Sequence, residues 1–215
     1  MKKSTAKYRT LSLGEEIFNS ISHGIGALLS LVGLVVLVRK AYYLGDIWHL
    51  VSFSIFGASM FLLYLASTLY HSFTRERIKN FFARIDHASI FLLIAGTYTP
   101  FVLTNLRGPW GWSLFGVVWG LAVIGGIIRL IFLHKFKNLM VAIYLLMGWL
   151  FVVATPKILQ VIPAVSLIFL VIGGLSYTIG VVFYLWRKLP YGHGIWHLFV
   201  LAGTITHFFA VLYSM

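Results

Sequence analysis

Charged residues in this chain are gathered into short clusters, and between the clusters run seven stretches with no Asp, Glu, Lys or Arg. The stretches are 20–38, 50–70, 87–106, 112–128, 138–156, 161–186 and 194–215, none shorter than 17 residues. As helices rising 1.5 Å per residue, each covers most of a hydrocarbon core about 30 Å thick. The pattern therefore predicts an all-α integral membrane protein with seven transmembrane helices, organised as one domain over 20–215 behind a basic segment, 1–19. Lys2, Lys3, Lys7 and Arg9 resemble the basic region of a signal peptide. The first apolar run is too long for that role and six more follow, so it reads as a retained helix. Pro100 lies inside the third span, where a kink is expected, and Pro163 stands near the start of the sixth. Glycines such as Gly125, Gly126, Gly173 and Gly174 mark places where helices approach closely.

Composition sharpens the picture. The chain is 60% hydrophobic and 10% charged, which excludes a water-soluble enzyme and a disordered chain. Without cysteine there is no disulfide framework, thiolate metal site or cysteine nucleophile, so any chemistry falls to His, Asp, Glu, Ser and Thr. The 17 basic residues against five acids give a net charge of +12, a balance that in a soluble protein would suggest nucleic acid. Their placement argues for topology instead. With the N-terminus cytoplasmic and the C-terminus outside, Lys2, Lys3, Lys7, Arg9, Arg75, Arg77, Lys79, Arg84, Arg129, Lys135, Lys137, Arg187 and Lys188 fall inside, and Arg39, Lys40, Arg107 and Lys157 outside. The partners this implies are membrane lipids and not nucleic acid, in the cell membrane; nothing in the sequence identifies an obligate protein partner.

Under that topology a set of ionisable residues meets at one depth. The second span ends with Ser67 and His71, the third opens with Asp86, and the seventh opens with His193 and His197. Residues four apart share a helix face, and three neutral imidazoles with an open fourth position are the donor set of a catalytic Zn²⁺. Asp86 could orient a water and take its proton, and Ser67, with Thr68 as its substitute, could hydrogen-bond that water, an imidazole or a substrate oxygen. The competing readings are that interfacial histidines reach for headgroups, and that Asp86 caps the third helix or pairs with Arg84. His207 lies about 21 Å along the helix from His193, too far for a shared ion. His49 falls outside and His134 in a basic loop, while His87 is expected to pack or meet headgroups. His23 is a reserve ligand or a partner of the ligands, and Glu15 and Glu16 are expected at the membrane surface.

At these residues the chain resembles the hemolysin III family, the bacterial branch of the progestin and adipoQ receptors. The motifs are E-x-x-x-S-x-x-H-G over Glu16 to Gly24, S-T-L-Y-H over Ser67 to His71, R-I-D-H over Arg84 to His87, and G-H-G-I-W-H over Gly192 to His197. The resemblance implies a superfamily that includes alkaline ceramidases, with seven helices and zinc near the cytoplasmic face. It implies His71, His193 and His197 as ligands, Asp86 holding a water on the metal, and Ser67 close by. Three functions follow as expectations: a zinc-dependent hydrolase of a lipid amide or ester, a non-catalytic membrane regulator or receptor with structural zinc, and a channel or cytolysin. The last finds no polar stripe along several spans of the kind an aqueous pore requires.

Overall fold

A computed structural model describes residues 11–133, 135–186 and 188–215. Lys2, Lys3, Lys7, Arg9, His134 and Arg187 lie outside the described residues. The described residues form helices α1 (Leu13–Leu44), α2 (Ile47–Ser72), α3 (Glu76–Leu103), α4 (Pro109–Ile131), α5 (Lys137–Trp149), α6 (Thr155–Val161), α7 (Ala164–Leu185) and α8 (Gly192–Leu212), with a 3-10 helix, Leu150–Ala154, between α5 and α6. Seven segments are long and apolar enough to cross a membrane, the fifth being α5 through α6.

Local chemistry sets the helix ends. Ser12 Oγ accepts the Glu15 N–H while Glu15 Oε2 accepts the Ser12 N–H at 2.9 Å, a capping box that opens α1. Asp46 opens α2 by accepting the N–H groups of Trp48 and His49. Those bonds, led by the His49 N–H, hold its carboxyl below the usual range. Gly108, at φ 142°, turns the chain into Pro109, the first residue of α4. Pro100 does not end α3, which runs on to Leu103.

Several helices start before the charge-free runs do. The first begins at Leu13 and the third at Glu76, because charged residues on an interfacial turn keep their heads in water while the backbone stays helical. The boundary between the fifth and sixth spans also moves: Val161 ends α6 and Pro163 caps α7. The fifth span is not one continuous helix. Tyr98 repairs its break, donating its hydroxyl to Met147 O at 2.7 Å and accepting the Phe151 N–H at 2.9 Å. In lipid, with no water to take them, such backbone groups need a protein partner.

Consecutive helices α1 to α4 pack against one another, α7 packs on α8, and α8 returns to α1, while α5 touches α3, α4 and α7 sparsely. The shared interior holds Phe53, Phe56, Met60, Leu63, Tyr64 and Phe91. Large apolar side chains such as Leu28, Val32, Ile124, Ile168 and Val182 face outward, as lipid contact requires. Among the described residues, the buried ionisable side chains Glu15, His23, His71, Asp86, Arg129 and His197 gather toward the end of the bundle where α1 begins.

Candidate metal centre

The helix that carries two of the three histidines is delivered by a tight turn. Tyr191 adopts φ 55°, and its N–H is taken by Glu15 Oε1 at 2.9 Å. Its ring packs edge-on to Phe18 of α1 at 5.9 Å. Gly194 then lets α8 close on α1: a Cβ there would stand 2.4 Å from the Phe18 ring and 2.9 Å from Asn19 Oδ1. The second glycine of the G-H-G-I-W-H motif is therefore a close-approach residue, and it brings His193 and His197 against the end of α2.

There the nitrogens of His71, His193 and His197 converge, one ligand atom of each lying within 4.8 Å of the others, close enough to hold a metal ion together. His193 Nε2 and His197 Nε2 are 3.1 Å apart, near the separation of about 3.3 Å that two ligands at 2.0–2.1 Å adopt around a tetrahedral ion. His71 Nε2 is buried without a hydrogen-bond partner. Its Nδ1–H donates to Glu16 Oε2 at 2.6 Å, and the other Glu16 oxygen pairs with Lys79 Nζ at 2.9 Å. The carboxylate thus fixes the tautomer that leaves the Nε2 lone pair facing its neighbours. His197 Nδ1 is turned toward Ser22 Oγ at 3.5 Å and the Asn19 carbonyl, which likewise reserves Nε2. A buried orphan nitrogen beside two nitrogens at ligand spacing fits a cation better than a packed core.

Asp86 is buried and is linked to this group through Ser67 and His23, whose ring stacks on His197. It is not a helix cap, because α3 begins ten residues earlier with Arg75 at the capping position. Nor does it pair with Arg84, whose guanidinium donates to the carbonyls of Leu130 and Ile131. Its carboxyl faces Ser67, whose Oγ lies 2.7 Å from His23 Nδ1. His23, Ser67 and Asp86 so form a chain across α1, α2 and α3. Thr68 instead donates its hydroxyl to Tyr64 O, within its own helix.

The remaining histidines separate. His23 stacks flat on His197 at 3.5 Å between ring centroids and is not part of the converging group. His207 Nε2 is 3.2 Å from Leu170 O, and His87 Nδ1 is 2.6 Å from Ala83 O. His49 pairs with Asp46. Glu15 and Glu16 depart from the surface position expected of them. Glu15 is 2% exposed, tied to the turns before α1 and α8, and Glu16 is the partner of His71. Sequence spacing gave no warning of their distant partners, Tyr191 for Glu15 and His71 for Glu16. Asp86 and His23 also line an apolar chamber of about 130 Å³ that continues between α3, α5, α7 and α8 past Leu93, Tyr98 and Trp149 to His207.

The sequence model for haemolysin-III related proteins matches residues 11–208. The chain belongs to that family. It is 46% identical to Hemolysin-3 of Bacillus cereus over 199 residues, 93% of this chain and 91% of the relative. It is likewise 46% identical to the Hemolysin-3 homolog of Bacillus subtilis (strain 168) over 202 residues, 94% and 95% of the two chains. A more distant similarity, 27% over 207 residues covering 92% of this chain and 83% of the relative, links it to the human monocyte to macrophage differentiation factor, and so to the proteins resembling progestin and adipoQ receptors. The haemolysin-III related chain is a multi-pass protein of the cell membrane.

Proposed function

We propose that this protein is a zinc-dependent hydrolase cleaving an amide or ester bond of a membrane lipid. The observation that carries the reading is the meeting of a three-histidine group, a buried carboxylate with its own serine partner, and an apolar chamber at one place in the bundle. Three converging imidazoles, those of His71 and His197 with reserved Nε2 lone pairs, suit Zn²⁺, and His71, His193 and His197 would hold it. When bound, zinc supplies Lewis acidity, polarising a carbonyl and making water easier to deprotonate.

The chain's own residues account for the rest. Asp86 is the base that accepts the proton of the attacking water and returns it to the leaving group. Ser67 holds the Asp86 carboxyl in place, and His23 holds Ser67. The chamber takes the acyl chain and keeps bulk water from the reacting carbonyl. The basic excess at the same end supports a cytoplasmic N-terminus with 1–19 as a basic cytoplasmic segment, an outside C-terminus, and a site facing inner-leaflet lipid.

Asp86→Asn tests the reading, because Asn keeps the shape and can still bond Ser67 but cannot take a proton. Zinc-loaded wild type in bilayers should hydrolyse at least one lipid in a panel of ceramide-like amides and esters. The variant at matched metal content should lose at least ~10²-fold of that turnover. A variant that retains full turnover removes Asp86 from the chemistry. A wild type inert toward every lipid favours the regulator with structural zinc.

A further inference from the structure

A second cavity, of about 310 Å³, opens at the same end of the bundle, against His193 of the histidine group. Tyr184 lines both this cavity and the apolar chamber, so the two adjoin at that residue. Its charged lining residues are Arg129, Lys137 and Glu15, with Asn80, Tyr70 and His87 adding polar surface. The Glu15 oxygens accept the N–H groups of Ser12 and Tyr191, and Lys137 Nζ sits 4.4 Å over the Tyr184 ring.

Arg129 is the unusual group. It is 1% exposed, and its described partners are all neutral: Nε donates to Tyr144 Oη at 3.4 Å, and Nη1 to Leu133 O at 3.0 Å and Lys135 O at 3.5 Å. Among the described residues no carboxylate pairs with it, and none accepts a hydrogen bond from Nη2. Capping the end of α4 accounts for Nη1 and not for Nη2. A buried charge without a counterion is costly, and an arginine whose Nη2 still has its donors to give is suited to meet a phosphate oxygen.

We infer that this cavity is an anion site that receives a phosphate group of net negative charge, held by Arg129 with Lys137 on the same lining. A lipid with its chain in the apolar chamber and its phosphate in this cavity lays the intervening linkage past His193 and Asp86. That placement rests on the hydrolase reading and narrows its substrate class to anionic phospholipid-like molecules; the anion site itself stands without it. The phosphate can come from a lipid headgroup or from solution.

The test is native mass spectrometry of the full chain released from micelles doped equally with phosphatidylglycerol and phosphatidylcholine of the same chains. A parallel titration with inorganic phosphate is followed by ³¹P line broadening. Wild type should retain phosphatidylglycerol preferentially. Arg129→Gln should lower that preference at least about tenfold, the loss expected for a hydrogen bond to a charged group, and Arg129→Lys should keep part of it. Arg77→Gln, an exposed cation at the same end but outside the cavity, should leave it unchanged. If helicity or thermal unfolding shows that Arg129→Gln does not fold, Lys137→Gln carries the comparison, with a smaller loss of the same sign. Arg129-dependent binding of inorganic phosphate without lipid preference identifies free phosphate as the source. The inference is overturned if wild type binds neither probe, or if Arg77→Gln falls as far as the cavity variants. His71→Ala separates the two proposals, since it should abolish turnover and leave lipid preference intact.

Discussion

Replacing Glu16 by Ala removes the acceptor of His71 Nδ1–H and leaves the ring free to take either tautomer. The bond is short, 2.6 Å, with the His71 side chain wholly buried and Glu16 20% exposed. A hydrogen bond to a charged group is worth about 1.5–3 kcal/mol, and the partial exposure of Glu16 argues for the lower half of that range. At 1.4 kcal/mol per decade, a loss of about 1.5–2 kcal/mol weakens metal binding roughly 10- to 30-fold, within the span seen for partners of ligating histidines. Zinc affinity measured by competition with a chelator reads this directly, and the visible spectrum of the Co²⁺ form reports whether the three-nitrogen geometry survives. Glu16→Gln should recover part of the affinity, because its carbonyl still accepts the N–H. Glu15→Gln, which disturbs the turn before α8 without touching His71, should affect stability more than affinity. An Ala variant within about twofold of wild type, beside a His71→Ala variant that binds poorly, would show that Glu16 ties α1 to α2 and does nothing for the ligand.

Substituting His71, His193 or His197 singly by Ala should strip metal from the protein, measured by elemental analysis, whereas His207→Ala and His23→Ala should retain it; His23→Ala should instead depress lipid turnover by freeing Ser67. Gly125→Ala should destabilise the bundle by about 1–3 kcal/mol in reversible unfolding, because a Cβ there would meet the Phe91 ring at 2.3 Å. Gly120, with open space around it, should accept Ala at no cost or with a gain of up to about 1 kcal/mol. Tyr98→Phe should cost about 1–3 kcal/mol by orphaning the Phe151 N–H, and should raise hydrogen exchange at Phe151 before any other position in the 3-10 helix Leu150–Ala154.

Seven spans were legible because hydrocarbon thickness imposes a length on every charge-free run, and that constraint acts on the sequence directly. The convergence of His71, His193 and His197 was legible for a related reason: once each span has a direction, residue number becomes depth. What depth does not give is rotation and neighbourhood. Glu16 looks like a surface acid beside an apolar run, and only the packing of α1 on α2 turns it toward His71, 55 residues away. Asp86 stands directly before the charge-free run 87–106, which suggests a cap. The helix in fact begins among the charges before it, since an interfacial turn tolerates them. Arg129 counted only as a positive charge at one face, and its burial depends on α5, whose Tyr144 takes its Nε–H, and on the turn after α4. The break at Leu150 has no proline before it to announce it, and its signal is a tyrosine two spans away.

That tyrosine imposes an order on biogenesis. The α5 segment has 13 residues, about 20 Å of helix, too little to cross the bilayer unaided. The five-residue 3-10 helix that follows leaves the Phe151 N–H unpaired until the Tyr98 hydroxyl of α3 accepts it. During synthesis α3 leaves the ribosome first and stands in the membrane when the fifth segment arrives, so one half of the protein serves as template for the other. A chain divided between α4 and α5 should then assemble when its halves are made together, and the second half made alone should stall with its first segment unintegrated and open to proteolysis.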